Sequence, residues 1–217
     1  MQRLCTSIVG LVIFLCAFFY SSLIFSLFLG VLWLIIIFTE LPRLYAINSW
    51  QFWVMVLLYP TLPIVALIYL NERFYATDRF VPLLPFIIAW TFDTGAFFVG
   101  RSFGRHKIAP TISPKKSWEG AAGGCLVLFV VLLSLYGHKY GVLFSLGGAL
   151  ALGIIAQAGD FFESYLKRRA GIKDIGALLP GHGGLLDRFD SVFFIAIALA
   201  IFFLFGEVEV RNIWEYL

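Results

Sequence analysis

Charge is scarce in this sequence: Asp, Glu, Lys and Arg make up 13% of its 217 residues, and hydrophobic residues make up 61%. Ordinary soluble domains carry about 25% charge, and a mean hydropathy of +0.92 excludes that class. Cysteine is nearly absent too. Cys5, Cys16 and Cys125 all lie in apolar surroundings without CxxC spacing, which excludes a zinc ribbon or a disulfide framework and leaves them as small buried hydrophobes. Period-2 alternation and regular turn signals are too weak for a membrane β-barrel. No GxxxxGK[ST] occurs, so no P-loop is present.

What remains is a series of long apolar runs, and a hydrocarbon core of about 30 Å needs about 20 helical residues per crossing. The runs and their breaks predict an all-α, polytopic integral membrane protein with about seven transmembrane helices, at 6–20, 21–38, 52–70, 81–100, 121–136, 141–158 and 191–205. The first two form one apolar run with Ser21 and Ser22 as its only turn candidates, so a single tilted helix or a re-entrant pair is an alternative there. A single membrane domain over 1–217 is expected, with N-terminal spans in 1–80 and the chemistry in 81–217.

The net charge of +3 says little, but its distribution is informative. Residues 100–120 hold Arg101, Arg105, Lys107, Lys115 and Lys116 against one acid, Glu119, and residues 160–190 hold Lys167, Arg168, Arg169, Lys173 and Arg188. Two spans joined by the short turn "GHKYG" separate these segments, so both lie on one membrane face. The positive-inside rule makes that face cytoplasmic.

The acids are the sharper signal, because an ionised Asp at mid-membrane costs about 2.5–3.5 kcal/mol and therefore faces a partner or a polar cavity. Asp93 sits two turns inside its span, either paired with a cation, capping a broken helix, or serving a site. In "QAGDFFESYLKRRAG", Asp160, Glu163, Ser164 and Lys167 recur at three and four, on one helix face. A solvated amphipathic face is the plainer reading of that helix. Asp187 and Asp190 in "LLDRFDS" are three apart, so a helix already formed there projects both carboxylates from one side. Such hard oxygen ligands suit Mg²⁺, which keeps sites free for water or phosphate; an N-cap accounts for Asp190 alone.

Ahead of that pair, Gly181, Gly183 and Gly184 in "LLPGHGG" allow positive φ and backbone N–H approach to an anion, or simply a tight turn. His182 is read as a phosphate ligand, an acid or base, or a structural hydrogen-bond partner. Lys115, Lys116 and Ser117, just before a helix start near Trp118, offer ammonium groups, a hydroxyl and free helix N–H groups to phosphates. Carboxylates for a metal, cations for phosphates and an apolar scaffold together point to phosphoryl or nucleotidyl transfer at a membrane surface.

The run "SYLKRRAGIKDIGALLPGHGGLLDRFD" resembles the signature of the phosphatidate cytidylyltransferases: Ser164, Lys167-Arg168, Lys173-Asp174, Gly176, Leu179-Pro180, His182-Gly183-Gly184, and Asp187-Arg188 followed by Asp190. The stretch "FDTGAFFVGRSFGRHKIAPTISPKKSWEGAAGG" is similar to that family as well, whereas the N-terminal spans match only in being hydrophobic. The resemblance implies a bacterial-type enzyme of the inner membrane that converts CTP and phosphatidic acid to CDP-diacylglycerol and pyrophosphate with Mg²⁺, its polar cavity facing the cytoplasm. It implies a metal site at Asp160, Asp187 and Asp190, with Asp93 nearby and a second cation left open. It further implies that Lys116, Ser117, Lys167, Arg168, Lys173, His182, Gly183, Gly184 and Arg188 serve the catalytic step or the two phosphorylated substrates. Asp174 either orients a cation or ligates directly. No nucleic acid partner is expected; a homodimer is compatible. The alternatives are a CTP-dependent lipid or polyprenol kinase and a cation-coupled transporter, although the internal repeat common in transporters is missing. Phosphatidyltransferases that use CDP-alcohols are disfavoured, because their DxxDGxxAR pattern is absent.

Overall fold

The computed structural model describes the backbone of residues 2–176, 178 and 183–214, and side chains of those between 8 and 206. The chain divides into two compact units: Met1–Leu83 with Gly176–Leu185 and Ala196–Leu217, and Leu84–Ile175 with Leu186–Ile195.

In the first unit, α1 (Gln2–Tyr20) and α2 (Ser22–Ile35) are separate helices. Ser21 adopts an extended backbone, and its hydroxyl accepts the Ile24 N–H at 3.1 Å, so a serine cap breaks the apolar run that composition alone leaves ambiguous. Phe25 of α2 packs edge-on to Phe14 and Phe18 of α1, with ring centroids 5.4 and 5.1 Å away. α2 then widens into a π-turn, Ile36–Glu40, and tightens into a 3₁₀ turn, Leu41–Arg43. α3 (Trp50–Val56) meets α4 (Leu62–Phe74) through a second π-turn, Leu57–Thr61, that contains Pro60. Proline lacks an N–H, and Thr61 compensates: its hydroxyl donates to the Val56 carbonyl at 2.6 Å and accepts from Trp33 Nε1 at 2.8 Å. At the other end of α4, Asn71 Nδ2 donates to Ser22 and Ser26 of α2, whose hydroxyls in turn donate to Glu72 at 2.7 Å.

The second unit is built on α5 (Leu84–Phe103), α6 (Trp118–Arg169) and the start of α7 (Leu186–Trp214). Small residues let the first two touch backbone to backbone: a Cβ on Gly95 would lie 2.9 Å from the Gly123 carbonyl oxygen, and one on Gly124 2.8 Å from that of Phe92. α6 is a hairpin rather than one 52-residue rod. Gly141, at φ 84° and ψ 174°, leaves helical geometry in a region open essentially to glycine alone. A Cβ on Gly148 would touch Leu132 at 3.5 Å, and one on Gly153 would lie 2.7 Å from Cys125 Sγ, so the two halves run antiparallel side by side. Trp118 and Arg169 therefore lie at the same end.

Among the described residues five helices are long and apolar enough to cross a membrane: Ser22–Arg43, Trp50–Phe74, Val81–Phe103, Trp118–Arg169 and Leu186–Gly206; Ile8–Tyr20 is a shorter apolar helix. The expected spans 121–136 and 141–158 both fall within the broken α6. Large apolar side chains are turned outward along these helices, Leu143 being 84% exposed and Phe98 65%, as in a protein solvated by lipid. One departure from all-α is a small antiparallel hairpin, β1 (Lys107–Ala109) and β2 (Ser113–Ser117), inside the basic stretch that leads to α6.

Candidate active site

All the groups of this site belong to the second unit. β2 ends at Ser117, which caps α6 by accepting the Gly120 N–H at 3.2 Å, so the helix start expected near Trp118 is present. The hairpin is braced from behind: the Glu119 carboxylate accepts the backbone N–H groups of Arg105 (3.1 Å) and His106 (3.2 Å) and meets His106 Nδ1 at 2.6 Å. The brace holds Lys107, Lys115 and Lys116 along the rim of an open cleft of about 790 Å³. Asp93 and Trp90 from α5, Gln157 and Asp160 from α6, and Asp187, Arg188 and Asp190 from α7 line the rest.

The carboxylates sort into two groups, each around one lysine. Lys116 Nζ pairs with Asp160 and lies 3.9 Å from Asp93 Oδ1, and Asp190 is within electrostatic reach of all three. Burial alone would depress the Lys116 ammonium, but Asp160 and Asp93 more than offset this and hold its pKa above the ordinary lysine value. Asp190 Oδ1 accepts the Ser191 N–H at 2.6 Å, while Ser191 Oγ donates to the Ala156 carbonyl at 3.0 Å, tying α7 to α6 beside the site. Gly159 makes that approach possible, since a Cβ there would lie 2.6 Å from the Asp190 carbonyl oxygen.

The second group is buried and meets the cleft lining through Asp187. Lys167 Nζ donates to Glu163 Oε2 at 2.6 Å and to Asp187 Oδ1 at 2.9 Å, and the Ile175 N–H donates to Asp187 Oδ2 at 3.0 Å. The side chains of Glu163, Lys167 and Asp187 are 1%, 13% and 6% exposed. Five carboxylates thus face two ammonium groups, and such a surplus of hard anionic oxygens is the donor chemistry of a Mg²⁺ site. Among the described residues no three Asp, Glu, His or Cys side chains gather closely enough to hold an ion.

Of the residues singled out in the sequence, Asp93, Lys116, Ser117, Asp160, Asp187, Arg188 and Asp190 share this cleft. Lys167 is not on its lining; it bridges Glu163 and Asp187 instead. Arg168 Nη1 donates to the Ile172 carbonyl at 3.2 Å at the end of α6, and Lys173 is exposed beyond it; neither lines the cleft. Gly183, at φ 84°, and Gly184 belong to the first unit. His182 lies outside the described residues. Sequence reasoning left Gln157 and Glu163 off the site: the first gives no signal in an apolar helix, while the second is visible only as the i−4 partner of Lys167. Each has a buried side-chain atom without a hydrogen-bond partner, Gln157 Nε2 and Glu163 Oε1.

The cytidylyltransferase family model matches residues 35–205. Phosphatidate cytidylyltransferase from Staphylococcus aureus (strain COL) is 44% identical over 122 residues, which is 55% of this chain and 47% of that protein. Those of Staphylococcus haemolyticus and Staphylococcus epidermidis are each 43% identical over the same length and shares. The chain spans about half the length of the curated relatives it matches.

Proposed function

The chain belongs to the cytidylyltransferase family, and we propose that it is a phosphatidate cytidylyltransferase, which joins CTP to phosphatidic acid to give CDP-diacylglycerol and pyrophosphate. One observation carries the reading: a carboxylate-rich cleft, with Asp93, Asp160, Asp187 and Asp190, opens beside a basic hairpin with Lys107, Lys115 and Lys116. Two polyanions meeting at one point need both parts.

In the proposed reaction, a phosphate oxygen of phosphatidate attacks the α-phosphorus of CTP, and the bond to the bridging oxygen of pyrophosphate breaks in line. The attacking phosphate is already ionised, so no general base is required. Asp160 and Asp190, within electrostatic reach of each other, would hold Mg²⁺ on two protein ligands, with Asp93 and Asp187 beside them on the cleft lining; when bound, the ion supplies positive charge to the phosphate oxygens. Lys116 and Arg188 neutralise and orient the phosphates, and positioning with electrostatics provides most of the acceleration. Lys167 acts through Asp187, whose carboxylate it orients.

The same reading places the chain in the inner membrane with about seven crossings, α6 supplying two, and the cleft on the cytoplasmic side, where the positive-inside rule puts the arginines and lysines of residues 100–120 and 160–190. The test is incubation of the purified protein with labelled CTP, phosphatidate and Mg²⁺. CDP-diacylglycerol and pyrophosphate are expected. Phosphorylated lipid and CDP would identify a CTP-dependent lipid kinase instead, and no nucleotide turnover where a known synthase is active would remove the enzymatic reading.

A further inference from the structure

Glu163 shares a helix face with Asp160, three residues before it, and Lys167, four after it, yet it does not line the cleft and its side chain is only 1% exposed. Stability does not explain an acid in that place. Burying an ionised carboxylate costs several kcal/mol, and apolar side chains of similar volume in place of a buried ion pair are often neutral or stabilising by about 1–4 kcal/mol. The bonding shows what the carboxylate does: Oε2 accepts Lys167 Nζ at 2.6 Å, while Oε1 is buried without a hydrogen-bond partner. The same ammonium donates to Asp187 Oδ1 at 2.9 Å, and Asp187 Oδ2 accepts the Ile175 N–H at 3.0 Å. Asp187, unlike the other two, lines the cleft. A lysine ammonium is a point charge on a flexible four-carbon stem, so a bond to Asp187 alone leaves it free to shift. An acid four residues before a lysine is the favoured order for a pair along one helix. Glu163 thus fixes the ammonium to α6, and the ammonium in turn fixes Asp187 of α7.

We propose that Glu163 is a positioning residue for nucleotidyl transfer: it anchors Lys167 to α6, and Lys167 holds the Asp187 carboxylate at the cleft wall. This rests on the cytidylyltransferase reading above. Glu163 touches neither substrate in this arrangement, and the cations on the cleft lining, Lys116 and Arg188, do not depend on it. The two kinetic constants therefore separate: substrate binding is spared and the chemical step is not. A misplacement near 1 Å in a catalytic constellation costs about a hundredfold in rate, which sets the upper end of the effect.

The test measures steady-state kinetics of the full chain in lipid nanodiscs for wild type, Glu163→Gln, Glu163→Asp, Lys167→Met and the double variant Glu163→Gln/Lys167→Met. Acylation of Lys167 by an amine-reactive ester, read by mass spectrometry, reports the anchor itself. Glu163→Gln keeps the shape but not the charge; it is expected to lower kcat about tenfold or more, the scale of a lost hydrogen bond to a charged group, and to speed Lys167 acylation. KM for CTP and KM for phosphatidate are each expected to stay within about twofold. Glu163→Asp keeps the charge on a shorter stem and lowers kcat less; it decides the matter if Glu163→Gln does not fold. In the Lys167→Met background, Glu163→Gln should change kcat by no more than about twofold, because its effect passes through the lysine. Wild-type kcat in both Glu163 variants overturns the proposal, as does a rise in either KM that accounts for the lost rate, or an undiminished Glu163→Gln effect without Lys167. A wild-type protein that makes no CDP-lipid would defeat the functional reading instead, and Lys167 acylation alone would then decide whether the anchor exists.

Discussion

Replacing Gly159 by alanine tests the site through its backbone rather than its charges. The added methyl would lie 2.6 Å from the Asp190 carbonyl oxygen and 3.1 Å from Ser191 Cα. Ordinary carbon contacts begin near 3.5 Å, so α7 must move off α6 by roughly 0.9 Å at the residue that carries a proposed metal ligand. Overpacking of this kind costs about 1–3 kcal/mol, and a displacement near 1 Å in a catalytic constellation costs about a hundredfold in rate. Gly148→Ala on the same helix is the control: its Cβ meets only Leu132 Cδ1, at 3.5 Å, and alanine raises helix propensity there by up to about 1 kcal/mol. The assay pairs initial rates of the proposed reaction, CDP-diacylglycerol formation, with thermal unfolding in detergent. Gly159→Ala should lose one to two orders of magnitude in kcat and a few degrees in Tm, and Gly148→Ala neither. Wild-type kcat in Gly159→Ala would refute the reasoning, because it would mean that α6 and α7 do not meet at this point.

Three further outcomes follow from the geometry. Lys167→Met leaves Glu163 and Asp187 buried without their shared cation, a loss of about 3–5 kcal/mol; a double-mutant cycle with Glu163→Gln, read by chemical unfolding, should show strong coupling. Gly141→Ala places a side chain at φ 84° with nothing within 4 Å, so its cost, about 1–3 kcal/mol, is backbone strain alone, and Gly147→Ala, also in open space but helical, should show none of it. Lys116 has its pKa raised in the fold, so its contribution to stability is complete below the ordinary lysine value of about 10.4 and is lost as pH climbs through the higher folded value. Thermal unfolding of wild type between pH 9 and 11 should therefore fall more steeply than that of Lys116→Met.

Local chemistry was legible in the sequence where the relevant partners are neighbours. Ser117 before Trp118 announces a capped helix, the three- and four-residue spacing from Asp160 to Lys167 announces one face, and the Asp187/Asp190 pair announces the start of α7; each appears as read. What the sequence could not convey depends on how elements dock. Lys167 reads as a cation for the catalytic step or for the CTP and lipid phosphates, yet the approach of α7 to α6 makes it the bridge between two acids. The β1/β2 hairpin is hidden because "SPKKS" shows no alternation of apolar and polar residues. The turn expected over 137–141 is narrower than its glycines suggest, because helical hydrogen bonding continues to residue 140 and only Gly141 breaks it.

In the first unit the Leu185 N–H donates to Glu40 Oε1 at 2.6 Å, joining two residues made far apart in time. Chains lengthen at about 5–20 residues per second, so Leu185 emerges roughly 7 to 30 s after the acid that will receive its N–H. Throughout that interval the buried carboxylate lacks this donor. The bond between residues 40 and 185 therefore closes only after most of the chain has been made.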